Sequence, residues 1–212
     1  MPERLIRKPL RVGLTGGIGA GKSEALRAFS RAGAWTLSLD EVSRRLSRRG
    51  GPVHRAIVRA FGRGVLRADG SLDRAKLASR VFASPIPRRR LDRAAHPPML
   101  LEMRRRLRAC RRPVAVVDVP LLFEAGLAGD FDATVLVSAP ERLRLGRVMR
   151  RDGVPAAAAR ARLRSQWPQE RKERLADVVV RNQGGLGALC RRVKEYQQAF
   201  RLLSTSPGGS GA

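Results

Sequence analysis

The stretch GLTGGIGAGKSEALRAF, from Gly13 to Phe29, decides the fold of this chain. It places Gly16, Gly17, Gly19 and Gly21 between a short apolar run and a segment whose apolar residues have helical spacing. Glycine lets backbone N–H groups turn inward and approach phosphate oxygens closely, and the N-terminus of a helix adds a partial positive charge. The stretch therefore predicts a strand, a phosphate-binding loop and a helix, in that order.

The loop fits the template G-x-x-x-x-G-K-[ST] through Gly16, Gly21, Lys22 and Ser23. In such a loop the lysine reaches the β and γ phosphate oxygens of a nucleotide, and the hydroxyl is a ligand for Mg²⁺. We therefore expect the phosphates of a nucleotide to be bound by residues of the loop and of the first helical turn. These are Gly17, Gly19, Ala20, Gly21, Lys22, Ser23 and Glu24.

Apolar runs elsewhere predict further strands, and helical patterns lie between them. The predicted strands are Leu10–Leu14, Trp35–Leu39, Pro113–Phe123, Ala133–Ala139 and Asp177–Asn182. Alternation of strands and helices predicts an α/β fold, a P-loop NTPase-type parallel sheet flanked by helices. Ligands bind at the carboxyl ends of such strands, where the loops begin with Gly16, Asp40, Pro120 and Asn182.

The remaining segments divide the chain further. Residues 1–40, 111–140 and 176–203 form the predicted nucleotide-binding core, with Gly33 ending its first helix and a last helix over 187–203. Residues 41–110 are helical in pattern, with breaks at 50–52, 68–70 and 84–87. Residues 141–175 are helical and dense in arginine, which suits the lid of a small-molecule kinase. Residues 204–212 lack core-forming side chains and predict a flexible tail.

Composition limits the classes of partner. The chain has 212 residues, is 43% hydrophobic and 29% charged, and carries a net charge of +26. Its arginines are spread from end to end, lysines are few, and aromatic residues make up only 4%. We interpret the charge as compositional bias and expect no specific nucleic-acid partner. No apolar run suits a membrane span or a secretion signal, and the two cysteines form no paired motif, which predicts a cytoplasmic protein.

A phosphate loop does not by itself choose a function. A switch GTPase would need a guanine-reading Asn-Lys-x-Asp motif, but the late candidate, Asn182, is followed by Gln183. The size of the chain and its arginine-rich segment favour a small-molecule kinase. The alternatives are kinases of nucleosides or shikimate and a basic ATPase acting on RNA.

Several ordered segments make the chain resemble the dephospho-coenzyme A kinase family over nearly its whole length, up to about residue 200. They are GLTGGIGAGKS (13–23), LSLDEVSR (37–44), FGRGVLRADGSLDRAKLASRVFA (61–83), HPPM (96–99), VVDVPLLFEAGL (116–127), RVMRRDG (147–153) and SQWPQERKERLADVVVRNQG (165–184). The chain departs from the family pattern at Ser38, Glu24 and Leu175, where the family often has an acid, a Ser or Thr, and an arginine.

The resemblance implies an enzyme that transfers the γ-phosphoryl group of ATP to the 3′-hydroxyl of the ribose of dephospho-CoA, with Mg²⁺ as cofactor. Residues 41–110 would then hold the acceptor and residues 141–175 would form the lid. We expect ATP and dephospho-CoA as the ligands and a monomer or weak homo-oligomer as the assembly.

The resemblance also implies roles for single residues. The implied catalytic residues are Asp40, Lys22 and Arg147. Arg147, Arg151 and Asn182 join the loop residues in binding ATP. The acceptor is contacted by Asp40, Arg44, His96 and Glu124, and the metal is held by Ser23 and Asp118. Each role has a structural alternative. Asp40 would instead cap a helix beginning at Glu41, Asp118 would cap a turn, the arginines would form a solvated face and His96 would be structural.

Overall fold

The structure, a computed structural model, describes residues 8–82 and 85–205. Its centre is a parallel five-stranded sheet in the order β2-β3-β1-β4-β5. The strands are β1 (Leu10–Gly16), β2 (Trp35–Ser38), β3 (Val114–Asp118), β4 (Ala133–Ser138) and β5 (Val178–Arg181). Leu14 of β1 lies opposite Asp118 of β3, and Gly16 of β1 lies opposite Val137 of β4, so these three strands end close to the same edge of the sheet.

The apolar character of β3 follows from its place inside the sheet. Every residue from Val114 to Asp118 is buried, as expected for an interior parallel strand that is covered on both faces. The strand ends at Asp118, although apolar residues continue to Phe123. Val119 still donates its N–H to Leu14 O at 2.8 Å, but Pro120 has no N–H and the chain turns.

Two helices cover one face of the sheet. These are α1 (Lys22–Arg31) and α9 (Leu186–Thr205), which contact each other and the central strands. Phe29 of α1 and Phe200 of α9 stack with ring centroids 6.4 Å apart. Burying each such ring contributes roughly 1.5–3 kcal/mol. The first helix ends as predicted at Gly33, which follows Ala32 and has a positive φ of 93°.

The described residues fall into two compact units. The first comprises the residues up to Ser38 and those from Ala109 onward, and it contains the sheet, α1 and α9. It also contains the helices of the predicted lid, α6 (Glu141–Asp152), α7 (Ala156–Arg164) and α8 (Gln169–Glu173).

The second unit, Leu39–Arg108, is helical. Its helices are α2 (Leu39–Leu46), α3 (Pro52–Phe61), α4 (Arg74–Phe82) and α5 (Pro85–Arg108). They enclose a small core of Val53, Ile57, Val65 and Leu77. The chain breaks where glycine and proline predict it, before Pro52 and at the turn through Gly70.

Some element boundaries differ from those predicted. Leu39 begins α2 instead of ending β2, so Asp40 lies inside the first turn of a helix and is not its N-cap. Ser204 and Thr205, predicted in the tail, belong to α9. Residues 206–212, residues 1–7 of the predicted core and residues 83–84 of a predicted break lie outside the described residues. No helix among the described residues is long and apolar enough to span a membrane.

Candidate active site

The phosphate loop follows β1 directly and ends in α1. Gly21 precedes the helix with a φ of 98°, and Gly19 has a φ of 77°. Only glycine adopts such angles readily. The loop closes on itself through a hydrogen bond from Ala20 N to Gly17 O at 3.0 Å, so its shape is fixed before Lys22 begins the helix.

Close packing gives a second reason for the glycines. A Cβ on Gly19 would lie 2.6 Å from the backbone oxygen of Arg144, and one on Gly17 would lie 2.7 Å from Arg144 Nη1. A Cβ on Gly21 would overlap the amide nitrogen of Asn182. Helix α6 and the end of β5 therefore form the wall against which the loop rests.

Lys22 and Asp118 meet where β1 and β3 end. Lys22 Nζ lies 2.5 Å from Asp118 Oδ1, and only 14% and 6% of the two side chains are exposed. A lysine ammonium has three donors, so this contact leaves two N–H groups for phosphate oxygens. The pair unites two residues that lie 96 positions apart in the sequence.

Ser23 and Glu24 occupy the first turn of α1. Ser23 is exposed, while Glu24 pairs with Arg27 at 2.5 Å and donates its backbone N–H to Gly21 O at 3.1 Å. The negative side chain is therefore held by an arginine on its own helix. The predicted ATP contact of Glu24 stays a prediction.

The donor set fits a magnesium ion. Mg²⁺ keeps several waters and takes few protein oxygens besides those of phosphate, so one hydroxyl and one carboxylate are sufficient. Ser23 lies next to Lys22 in the chain, and Lys22 touches the Asp118 carboxylate. The described residues hold no cluster of three or more His, Cys, Asp or Glu residues that could bind a metal ion alone.

The two predicted lid arginines have different surroundings. Arg147 Nη1 donates to Gly19 O at 3.2 Å and to Ala20 O at 3.4 Å, which ties α6 to the phosphate loop. Arg151 lies one turn later and pairs with Asp152 at 2.7 Å. Asp152 also pairs with Arg162 of α7. Of the two, only Arg147 hydrogen-bonds to the loop.

Asn182 supports the loop from the end of β5. Its side chain is buried and donates from Nδ2 to Ala20 O at 2.8 Å, while its backbone N–H bonds Ser138 O at 2.7 Å. The residue was predicted to contact ATP, and this contact stays a prediction. What the geometry shows is a side chain that holds the loop in place.

Arg144 was not among the predicted site residues. Burial lowers the pKa of its guanidinium from the ordinary value, and the carboxylates of Glu141 and Glu170 offset this only in part. Its Nε is buried and makes no hydrogen bond within residues 8–82 and 85–205. In a chain so rich in arginine, no sequence signal separates this residue from its exposed neighbours.

Glu124 lies in the turn after β3 and faces α8. Its Oε1 lies 2.5 Å from Nζ of Lys172, a lysine that is only 1% exposed, and accepts a long 3.4 Å hydrogen bond from Trp167 N. Gln166, just before Trp167, accepts the Ile18 N–H of the phosphate loop at 2.9 Å. The predicted acceptor contact of Glu124 stays a prediction.

The other predicted acceptor residues belong to the helical unit. Asp40 is exposed in the first turn of α2, two residues beyond the end of β2, and Arg44 Nε donates to its backbone oxygen at 3.4 Å. His96 lies inside α5, where Nε2 is 3.9 Å from Asp92 Oδ1. Their roles in acceptor binding stay predictions.

Comparison with known proteins agrees with this geometry. The family model for dephospho-CoA kinase matches residues 10–187. The chain belongs to the dephospho-CoA kinase family. A relative from Anaeromyxobacter dehalogenans with that name is 44% identical over 203 residues, which cover 94% of this chain and 93% of the relative. The family expected from the sequence is thereby confirmed.

Solved structures confirm the fold class. A protein from Thermus thermophilus, TT1252, is 33% identical with a TM-score of 0.81, and the match covers 91% of this chain and 98% of that one. The dephospho-CoA kinase from Campylobacter jejuni is 23% identical with a TM-score of 0.66, covering 93% and 100% of the two chains. The second likeness shows the fold alone.

Proposed function

We propose that this member of the family transfers the γ-phosphoryl group of ATP to the 3′-hydroxyl of the ribose of dephospho-CoA, giving coenzyme A and ADP. The observation that carries the proposal is the Lys22–Asp118 pair at the base of a phosphate loop, in a chain of this family. The bond from the γ-phosphorus to the β–γ bridging oxygen breaks. A bond from that phosphorus to the acceptor oxygen forms, and the hydroxyl loses its proton.

The loop side of the site handles charge. Lys22 Nζ, with two donors left beside Asp118, neutralises oxygens of the transferred group, and the inward backbone N–H groups of the loop hold the phosphates. Arg147, tied to the loop carbonyls, adds a second cation. Mg²⁺, held by Ser23 and Asp118, would supply further neutralisation of phosphate charge.

A ribose hydroxyl is a weak nucleophile and needs a proton acceptor and a fixed position. Asp40 is the proposed base, because its carboxylate is exposed and follows the end of β2 by two residues. We assign binding of the acceptor to the helical unit, with Arg44 and His96 as contacts. Glu124 and Asn182 remain proposed ligand contacts whose side chains also bind protein groups.

A coupled assay of ADP release tests the proposal. The acceptors are dephospho-CoA, adenosine, AMP and shikimate, each with ATP and Mg²⁺, and a sample with EDTA tests the metal. We expect turnover with dephospho-CoA to exceed that with the other acceptors by a wide margin, and EDTA to stop it. Equal rates with all acceptors would contradict the assignment of the substrate.

The net charge of +26 has no assigned role in this reaction. We propose that RNA binds weakly, with an affinity that falls steeply as salt rises, and does not raise the rate of ATP hydrolysis. Sequence-selective RNA binding at physiological salt would contradict this. The cytoplasmic location and the monomeric or weakly oligomeric state stay predictions.

A further inference from the structure

The segment Gln166–Lys172 comprises the end of the link between α7 and α8 and most of α8, and it binds three separate parts of the first unit. Gln166 Oε1 accepts the N–H of Ile18 in the phosphate loop at 2.9 Å. Gln169 Oε1 accepts the N–H of Ala139, just after β4, at 3.2 Å. Lys172 pairs with Glu124 in the turn after β3. Two glutamines three residues apart therefore bond two different backbone donors in the same way.

The Gln166 contact acts on one particular peptide group of the loop. The carbonyl of Gly17 and the N–H of Ile18 belong to the same planar peptide unit. That carbonyl accepts the Ala20 N–H at 3.0 Å, and the N–H is bonded by Gln166. The peptide unit is therefore held at both of its polar ends.

This peptide unit is bounded by the Cα atoms of Gly17 and Ile18. Gly17 allows a wide range of ψ on one side of the unit, and Gly19, the residue after Ile18, allows the chain beyond it to adjust. A phosphate loop binds through the direction of its N–H groups. A rotation of the Gly17–Ile18 unit would release the Ala20 bond and alter the direction of the N–H groups that follow.

Gln166 itself is held by the residues around it. The next residue, Trp167, donates its N–H to Glu124, and the guanidinium of Arg171 lies 3.6 Å from the centre of the Trp167 ring. Lys172, 1% exposed, fixes the same Glu124 carboxylate from the other end of the segment. The loop is thus supported by a segment that is itself anchored in the protein interior.

We propose that Gln166 is a positioning residue for phosphoryl transfer, whose side-chain carbonyl fixes the Gly17–Ile18 peptide of the phosphate loop. The proposal rests on the proposed function only for its kinetic consequence. Gln166 acts through the loop, so its loss lowers the binding of the ATP phosphates as well as turnover. The wild-type ADP-release assay and the loop measurements below separate a failure of one proposal from a failure of the other.

The test compares Gln166→Met, which has no acceptor, with Gln166→Glu, which keeps one. Gln169→Met is the matched control, because it removes the same kind of bond from the Ala139 N–H, together with the bond from Gln169 Nε2 to Glu173, and leaves the loop untouched. Amide hydrogen exchange at Ile18, affinity for ADP and kcat/KM for ATP are measured in each. We expect Gln166→Met to exchange Ile18 at least about tenfold faster and to lose about tenfold in ADP affinity and kcat/KM.

Gln169→Met should leave all three quantities within about threefold of wild type, even if both variants melt earlier. Gln166→Glu should keep slow exchange at Ile18. The proposal is overturned if Ile18 exchanges equally slowly in Gln166→Met, or if the two methionine variants show the same kinetic change. Should Gln166→Met not fold, Gln166→Ala is used with the same criteria.

Discussion

Two lysines of the first unit each hold a carboxylate at 2.5 Å, and they do so in different surroundings. Lys22 meets Asp118 at the base of the phosphate loop, with 14% of the lysine side chain exposed. Lys172 meets Glu124 between α8 and the turn after β3, with 1% of the lysine exposed. The chemical groups are the same, but only the first pair adjoins a loop built to bind phosphate.

The two pairs differ in burial and location, and these decide whether an ion pair serves the fold or ligand binding. A buried pair gains little net stability over apolar residues, but removing one partner leaves a buried charge at a cost of about 3–5 kcal/mol. We therefore assign Lys172 to the fold, because its side chain is only 1% exposed and lies beside the Glu124 carboxylate. Lys22 has donors left over at the end of the sheet, so we assign it to phosphate.

The largest expected effect is on Lys22. In the proposed reaction Lys22 neutralises charge on the transferred phosphoryl group, so we expect Lys22→Ala to lower turnover by at least about 10³-fold. Circular dichroism should still show a folded protein. A folded Lys22→Ala variant with a kcat close to that of wild type would place the lysine outside catalysis and end the contrast between the two pairs.

The second prediction concerns Lys172. Lys172→Met leaves Glu124 buried without its partner, so we expect the free energy of unfolding to fall by about 3 kcal/mol in urea titrations. The double variant Lys172→Met with Glu124→Leu removes both charges and serves as the control. It should recover most of that loss. If the single variant were as stable as wild type, the pair would not support the fold.

The same contrast explains what the sequence could predict. The phosphate loop is a local motif, so Gly21, Lys22 and Ser23 were identified from their spacing alone. Asp118 was predicted as a metal ligand through the resemblance to the family, inside a strand predicted to run to Phe123, and its metal role stays a prediction. The family and the fold class followed from such segments and are confirmed by the comparisons.

Contacts between distant segments were not visible. Gln166 bonds Ile18 across 148 residues, and no spacing in the sequence announces that contact. Lys172 lies in one of the segments that resemble the family, but the sequence does not show that its side chain is buried beside Glu124. Arg144 was hidden by composition, since exposed arginines surround it on the same helix. Helix α2 begins at Leu39, two residues before the predicted start at Glu41, because a leucine fits the apolar pattern of a strand and of a helix equally well.

Asp40 extends the comparison of the two lysine–carboxylate pairs, because its carboxylate is not paired with a lysine. Its exposed side chain makes no hydrogen bond or ion pair with residues 8–82 and 85–205, whereas Asp118 and Glu124 each meet an ammonium. Because Asp40 is the proposed base, we expect Asp40→Asn to lower kcat by about 10²-fold or more. Thermal melting is the control.

The helix-cap alternative is wrong for Asp40, since α2 begins at Leu39. A carboxylate in the first turn of a helix still contributes about 0.3–1 kcal/mol through the helix dipole. Asp40→Asn is therefore expected to shift the melting temperature only slightly. A kcat within about threefold of wild type would reduce Asp40 to this structural role and leave the base unidentified.

The smallest expected effect separates the two arginines of α6 in the same way as the two lysines. Arg147 donates to Gly19 O and Ala20 O of the loop, and Arg151, whose side chain is 64% exposed, pairs with Asp152. A charged hydrogen bond contributes about 1.5–3 kcal/mol, so Arg147→Ala should lower kcat/KM for ATP by about 30-fold. Arg151 loses only an exposed ion pair, worth about 0–1 kcal/mol, so Arg151→Ala should change it by less than about fivefold. Steady-state kinetics at saturating dephospho-CoA measure both. An equal fall in kcat/KM for the two variants would contradict the prediction. It would mean that Arg151 breaks its ion pair with Asp152 and contacts the nucleotide.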